Sequence, residues 1–370
     1  MFVAQQALPH LLSPEAYWSE QQHQREQILF RSAWHLVATA DELAQPGSYL
    51  TTELAGQPVQ VRNCEGALIA FSNVCAHRHC LLTNETSGTS NAIQCQYHGW
   101  QYGADGYTRK IPEPKNFAPI DRESLRLPSY RVELCGQLVF VCLDDKAPSL
   151  EEFLGEFFPR LAERFGPQWR PFLRWNPEYP VNWKIPIENS LEAYHVPSIH
   201  PQTFKQDPGE ARIEHTICDQ RTSMSVPLPF DVHSRLDGWL QKRQSRFVAK
   251  LGYEPTGLYE QHHVFPNLLF SFTDAISLCH RVSPCGPTQS AGMVRQFGRI
   301  AEQPTWRRSA ASAVWGRVTA GITKKIMQED LALFPAIQAG MKASPHAGVL
   351  GRCEERLHAF QEYLQRTTTT

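Results

Sequence analysis

The chain has no long apolar run, no excess of charge of either sign and no glycine-rich nucleotide loop, and each absence removes a class of function. No stretch approaches the roughly 18 unbroken apolar residues that a membrane span needs, so no integral membrane protein is expected. The amino terminus MFVAQQALPHLLSPEAYWSEQQ has no cationic start followed by an apolar segment, which argues against a secretory signal and for a cytoplasmic location. Lys and Arg number 36 against 37 Asp and Glu, a formal net charge of −1; no basic surplus exists to hold nucleic acid or an anionic membrane. No flavin- or nucleotide-binding glycine pattern is evident. What remains, 370 residues of which 42% are hydrophobic and 20% charged, is a globular composition long enough for two or three domains.

The 10 cysteines are scattered along the chain and read as a reduced set containing two metal ligands, not as a disulfide framework. The two ligands are Cys75 in VCAHRHC and Cys95 in QCQYHGW, with His77 and His98 beside them and 17 residues between His77 and Cys95. A mixed Cys/His set holds either tetrahedral zinc or a [2Fe–2S] cluster in which two His replace two Cys on one iron. The order Cys-His-Cys-His argues against a zinc finger, where both Cys precede both His. Each loop supplies one Cys and one His, so each can reach both irons of a flat cluster. Gly99 and Trp100 suit a tight loop whose amides approach bridging sulfides.

Along the chain, residues 14–31 carry helical spacing behind a cap at Ser13. From Trp34 to about Asp145, short runs such as HLVAT, PVQVRN, ALIAFSN and GQLVFVCL predict a β domain of hairpins, with the metal loops between strands. The strip KIPEPKNFAPIDRESLRLPSY is expected to wrap it. Residues 149–165 predict an amphipathic helix with a Ser149/Glu152 capping box. This gives an N-terminal segment 1–32, a domain 33–147 and a domain 148–370. In the last, a helix is expected through NSLEAYH, with strand candidates ARIEHTICDQRTSMSV, HHVFPNLLFSF, AISLCHRVSP and GMVRQFGRI. Helices are expected at about 305–342 and 352–366. The succession is α+β, an antiparallel sheet with helices on one side. The terminal TTTT is expected to be disordered.

A second metal candidate lies in NWKIPIENSLEAYHVPSIHP. His195 and His200, five apart, would stand about 140° apart on a regular helix, so one metal takes both only if the helix breaks between them, and Pro197 supplies the break. Glu192 precedes His195 by one helical turn, and Asn189 lies one turn earlier.

The pattern C-x-H-x17-C-x2-H-G-W resembles the Rieske cluster site. About a hundred residues later, NWK, EN and E-x-Y-H-x4-H resemble the mononuclear iron motif of Rieske non-haem iron ring-hydroxylating oxygenase α subunits. That resemblance implies a small all-β Rieske domain and a larger helix-grip catalytic domain, with the N-terminal segment packed on the latter. It implies a [2Fe–2S] cluster on Cys75, His77, Cys95 and His98, and Fe(II) on His195, His200 and a carboxylate from KIMQEDLALFPAIQAG. Asp330, ahead of Gln338 and Gly340, matches the ligand position better than Glu329, which otherwise reads as an exposed helix carboxylate. Glu192 matches the carboxylate that bridges a histidine of each centre, His195 and His98, across subunits of a homotrimer; Asn189 is a weaker candidate beside it. Cys80 occupies a position that is disulfide-bonded in respiratory and photosynthetic Rieske proteins, but Gln96 and Tyr97 stand where its partner would be, leaving a buried apolar thiol. Arg78, His79 and Trp100 are candidates for docking an electron donor. Implied partners are O2, a small-molecule substrate and a flavin/iron–sulfur reductase or ferredoxin drawing on NAD(P)H. ENSLEAYHVPSIHP and EERLHAFQEYL look nearest to the choline, carnitine and glycine-betaine branch, which shades into enzymes acting on aromatic acids. A quaternary ammonium calls for an aromatic box, for which Tyr194, Trp239, Phe265, Phe270 and Phe272 are available. The rival readings are a Rieske electron carrier without oxygenase activity and a zinc-stapled interaction protein.

Overall fold

Alternating apolar residues between Trp34 and Cys142 pair into an antiparallel sheet of seven strands. Its order is Trp34–Thr39, Leu138–Cys142, Ser129–Cys135, Ala67–Ser72, Gln57–Cys64, Ser48–Leu54 and Ser87–Thr89. Val37, Leu54, Val59, Val61, Ala70, Val139 and Val141 fill its core. A three-stranded sheet of Ile93–Gln94, Gln101–Tyr102 and Thr108–Lys110 sits beside the metal loops, over a second cluster that includes Phe71, Cys75, Cys95, Trp100 and Leu127. This computed structural model describes residues 2–121 and 123–368. The chain divides into two units, Phe30–Ala162 and a second made of Met1–Leu29 with Glu163–Thr370.

The second unit is built on an eight-stranded antiparallel sheet. Its main path runs Trp169–Trp175, Gln289–Arg299, Ile276–Gly286, Leu268–Phe272, Leu258–Val264, Arg221–Pro227 and Glu214–Ile217. The helix Trp306–Ala343 packs on the strands Gln289–Arg299 and Trp169–Trp175. Gly298 and Gly316 make that contact possible, since a Cβ on either would run into the Phe172 ring. The period-2 rule puts alternate residues of each strand on one face. Register brings Tyr259, Gln261, Leu269, Ser271, Leu278 and His280 onto a single face, and that face becomes the wall of a cavity. No helix among the described residues is long and apolar enough to cross a membrane.

Several expected elements are divided in the structure. ARIEHTICDQRTSMSV is a hairpin of Glu214–Ile217 and Arg221–Pro227, closed where Cys218 N donates to Arg221 O. HHVFPNLLFSF turns at Pro266-Asn267 and contributes to two strands. The 149–165 helix breaks at Gly155, φ +52°, into Leu150–Leu154 and Phe157–Arg164; its Ser149/Glu152 capping box is present. Residues 14–31 form a 3-10 turn, Pro14–Tyr17, and a helix, Glu20–Ser32; Ser13 makes no side-chain cap. Thr367 and Thr368 belong to the helix Glu355–Thr368, whereas Thr369 and Thr370 lie outside the described residues.

Two buried histidines make the second unit acid-sensitive. Burial pushes His280 down to about 4 and His263 down to about 3, so both stay neutral in the fold at pH values where an unfolded chain, near 6.5, takes up protons. Stability is therefore complete above pH 6.5 and falls as pH drops toward 4, by up to about 3 kcal/mol per histidine. Melting temperatures measured between pH 7 and 4.5 should show the slope, and His263→Gln should flatten it.

Candidate metal centres

The two Cys/His loops are copies of one backbone design. Cys75 N donates to Cys80 O at 2.8 Å and His79 N to Cys75 O at 3.1 Å; Cys95 N donates to Trp100 O at 2.9 Å and Gly99 N to Cys95 O at 3.1 Å. In each loop the fourth residue after the cysteine is left-handed, His79 at φ +59° and Gly99 at φ +72°. Gly99 takes that conformation without the strain His79 bears, and its amide is already bonded to a carbonyl. Cys75 and Cys95 are buried and neighbour one another. Tyr102 Oη lies 3.0 Å from Cys75 Sγ and accepts from Ala76 N at 3.1 Å. Burial pushes the Cys75 thiol up, the behaviour of a sulfur that needs a cation to ionise. His77 and His98 sit outward of the thiols, with ring centroids 4.8 Å apart. Trp100 stacks on His77 at 4.7 Å and Phe117, from the wrapping strip, meets it edge-on at 5.5 Å.

Trp100 is only 2% exposed, so it supports the histidine and cannot belong to a docking surface. Arg78 and His79 are exposed, with the Arg78 guanidinium 5.7 Å from the Tyr97 ring centre. Cys80 is a free cysteine. Zinc would draw its four donors onto one point with bonds of about 2.0–2.3 Å. Among the described residues, the only metal-capable group whose donor atoms all lie within 4.8 Å of one another is elsewhere. Cys75 and Cys95 pair on the buried side and His77 and His98 on the outer side, the two-and-two division that a two-iron cluster uses.

The converging group is His195, His200 and Asp330. The helix expected through NSLEAYH instead spans Lys184–Ser190 and ends at Leu191, and a second short helix, Val196–Ile199, starts after His195. The break therefore falls before His195, and Pro197 sits in the first turn of the second helix, where a missing N–H costs nothing. The approach to the site is anchored by the NWK segment. Trp183 Nε1 and Lys184 Nζ each donate to the buried Glu26 at 2.7 Å, and Asn182 N donates to Gln338 Oε1 at 2.7 Å.

Both imidazoles are turned by carboxylates on their far side. His195 Nδ1 lies 2.5 Å from Glu192 Oε1, and the His195 amide donates to Glu192 Oε2 at 3.1 Å. His200 Nδ1 lies 2.7 Å from Glu329 Oε2. With Nδ1–H so engaged, each Nε2 carries a lone pair, and both point at Asp330 Oδ1, at 3.5 and 3.1 Å. Asp330 Oδ1 is buried and has no hydrogen-bond donor. With both rings neutral these are three acceptors facing one another, a place for a metal cation; without one, a proton takes that place. Burial opposes charge on His195, but Asp330 and Glu192 outweigh it and push the ring up to about 9; the same imidazoles hold the Asp330 carboxyl below its usual range despite burial. The carboxylate–histidine–metal arrangement has this form. Glu329, which reads in the sequence as an exposed helix carboxylate, is half-buried and orients His200; its i, i+1 relation to Asp330 gave no signal of that.

The triad opens into a cavity of about 320 Å3 that Asn189 and Glu192 also line. Of the aromatic candidates, Tyr194 and Trp239 are exposed, Phe265 and Phe270 are core, and only Phe272 reaches the cavity. Its other aromatic walls are Phe204, Phe230 and Tyr259, residues brought together by loops and register and invisible as a set in the sequence. Phe204 and Phe230 pack at 5.2 Å, and their loops are tied by the buried Asp231. Its carboxylate accepts Lys205 N at 2.6 Å, Gln206 N at 3.2 Å and His233 N at 2.8 Å. Asp231→Ala leaves three amides without their acceptor and should cost about 3 kcal/mol in a thermal or denaturant melt, with Asp231→Asn recovering part.

Residues 166–370 match the ring hydroxylating alpha subunit (catalytic domain) family, and residues 33–131 match the Rieske [2Fe-2S] domain. The chain belongs to the ring hydroxylating alpha subunit family. A member of this family carries a [2Fe–2S] cluster and a mononuclear iron, and the two donor sets just described fit those groups. Over 194 residues the chain is 32% identical to the carnitine monooxygenase oxygenase subunit of Acinetobacter pittii, covering 51% of this chain and 52% of that protein. It is 30% identical over 201 residues to the large oxygenase component of the naphthalene 1,2-dioxygenase system of Pseudomonas aeruginosa, covering 50% and 43%. The matches thus span about half the length of these curated relatives. In fold, a quaternary ammonium Rieske monooxygenase described in terms of carnitine oxidation and inter-subunit electron transfer superposes with a TM-score of 0.75 at 22% identity, covering 99% of this chain and 96% of that one.

Proposed function

We propose that this chain is the terminal oxygenase component of a Rieske non-haem iron oxygenase, hydroxylating or demethylating a small organic substrate. The observation that carries the reading is the convergence of His195 Nε2, His200 Nε2 and Asp330 Oδ1 beside a cavity of substrate size. Two His and one carboxylate on one face leave the other coordination positions of an iron open. When bound, the iron supplies dioxygen activation, with electrons delivered through the cluster from a separate reductase or ferredoxin that draws on NADH or NADPH.

The chain's own residues divide the remaining work. Cys75 and Cys95 hold the buried side of the cluster, and His77 and His98 its outward side. Glu192 orients His195 and, in a homotrimer, couples it to His98 of a neighbouring subunit. Glu329 orients His200. The apolar walls, Phe204, Phe230, Tyr259 and Phe272, exclude water and set the substrate against the open face. Aromatic walls suit either a quaternary ammonium or an aromatic acid. An electron carrier would have no use for the convergent triad, and neither would a zinc-stapled interaction protein. Metal analysis of anaerobically purified protein should return about three irons and two sulfides per chain, with a coloured, paramagnetic reduced cluster; a colourless protein holding zinc contradicts the reading.

A further inference from the structure

We propose that the cavity takes its substrate by a carboxylate, received by the Gln261 amide that the buried Arg356 holds in place. The proposal rests on the oxygenase reading and deepens it to a substrate class. Arg356, the second residue of the helix Glu355–Thr368, is 0% exposed. Its Nη1 donates to Gln261 Oε1 at 2.8 Å and to Leu191 O at 3.4 Å, and its Nε donates to Thr222 Oγ1 at 3.3 Å. Its Nη2 is buried without a partner. No carboxylate pairs with it among the described residues, and the adjacent Glu355 is occupied by Val3 N, Ala4 N and His215 Nδ1. A buried cation surrounded by neutral dipoles is costly, and a nearby anion relieves that cost.

The guanidinium has donors only, so it fixes which end of the Gln261 amide it meets. Oε1 faces Arg356, and the NH2 group lies on the other side, with two N–H bonds to share between the Tyr259 hydroxyl and the cavity that Gln261 lines. Tyr259 lies two residues away on the same strand face, and Ser271 is the cross-strand partner of Gln261; both line the cavity and both carry hydroxyls. The Tyr259 hydroxyl donates to Ser271 Oγ at 3.4 Å, so this wall offers the Gln261 N–H and the Ser271 O–H as donors, backed by a positive charge one side chain behind, although no Lys or Arg lines the cavity itself. The cavity's own carboxylates are engaged elsewhere: Asp330 at the triad, Glu192 on His195, and Asp237 accepting Asp231 N at 2.8 Å. They do not compete for the Gln261 amide. A carboxylate accepts several hydrogen bonds at once and is the acceptor such a wall favours most.

The test compares carboxylic acids with their own primary amides, which keep the shape and lose the charge. Benzoate, p-toluate and L-carnitine are each titrated calorimetrically against benzamide, p-toluamide and carnitine amide, using protein loaded with iron and cluster. At least one acid should bind wild type about tenfold or more tighter than its amide. Gln261→Leu should reduce that preference to about twofold, and Gln261→Glu, which turns an acceptor toward the substrate, should abolish or invert it. Equal binding of every pair by wild type, or an undiminished preference in Gln261→Leu, overturns the proposal. Failure here is distinct from failure of the oxygenase reading: a protein that oxidises amides as well as acids loses the subsite and keeps the function, whereas one without mononuclear iron loses the function.

Discussion

Replacing Asp330 with alanine should remove the mononuclear iron and reduce product formation by more than about a hundredfold while leaving the cluster spectrum intact. Among the described residues, the Asp330 carboxylate is the group that faces both Nε2 atoms, and its Oδ1 is buried. Without it, two neutral imidazoles with ring centroids 5.7 Å apart are a poor site for a hard ferrous ion. Glu329→Ala provides the contrast. It touches His200 from the other side, so iron affinity should weaken by about 10- to 100-fold yet recover at high iron concentration. Metal content and ferrous–nitrosyl electron paramagnetic resonance read both variants. Full iron occupancy in Asp330→Ala with loss in Glu329→Ala would exchange their roles.

Glu192→Gln should keep both centres filled, keep the cluster reducible by a reductase, and lower turnover by about a hundredfold or more. Glutamine preserves the shape and can still accept from the His195 amide, at 3.1 Å in the native contact. It cannot supply the negative charge that sits 2.5 Å from His195 Nδ1 and that would answer a change of charge at either metal. Glu192→Asp, a shorter carboxylate, should recover part of the rate. Stopped-flow oxidation of the reduced cluster separates this from a binding defect. A Glu192→Gln protein as fast as wild type, or a monomer with full turnover, would end the coupling role and leave the two metal sites standing.

The centres were legible in the sequence to different depths. The Cys/His loops could be read because all four donors lie within two short segments, where spacing alone constrains geometry. The duplication of the loop backbone could not, because it depends on His79 adopting a left-handed conformation that glycine takes at the matching place. His195 and His200 were readable as a pair, but the break that lets them converge lies at Leu191 rather than at Pro197. Proline marked the first turn of the next helix, a position where it is equally at home. The α+β class and the antiparallel sheet followed from periodicity. Two strand candidates were hairpins, because the turns at residues 218–220 and 266–267 sit inside otherwise continuous β-like runs. The cavity was the least legible part. Phe204, Phe230, Tyr259, Gln261 and Arg356 come from separate strands, loops and the last helix, and only register and packing place them together.

The central claim is that one chain carries a cluster and a mononuclear iron that act together. A single turnover without reductase tests it most directly. Protein chemically reduced under anaerobic conditions is mixed with O2 and the tightest-binding acid or amide, while cluster absorbance and product are followed. Protein with an occupied His195/His200/Asp330 site should reoxidise its cluster in step with product formation. The Asp330→Ala protein should reoxidise slowly and form none. Equal rates of cluster oxidation in both, without product, would contradict the account.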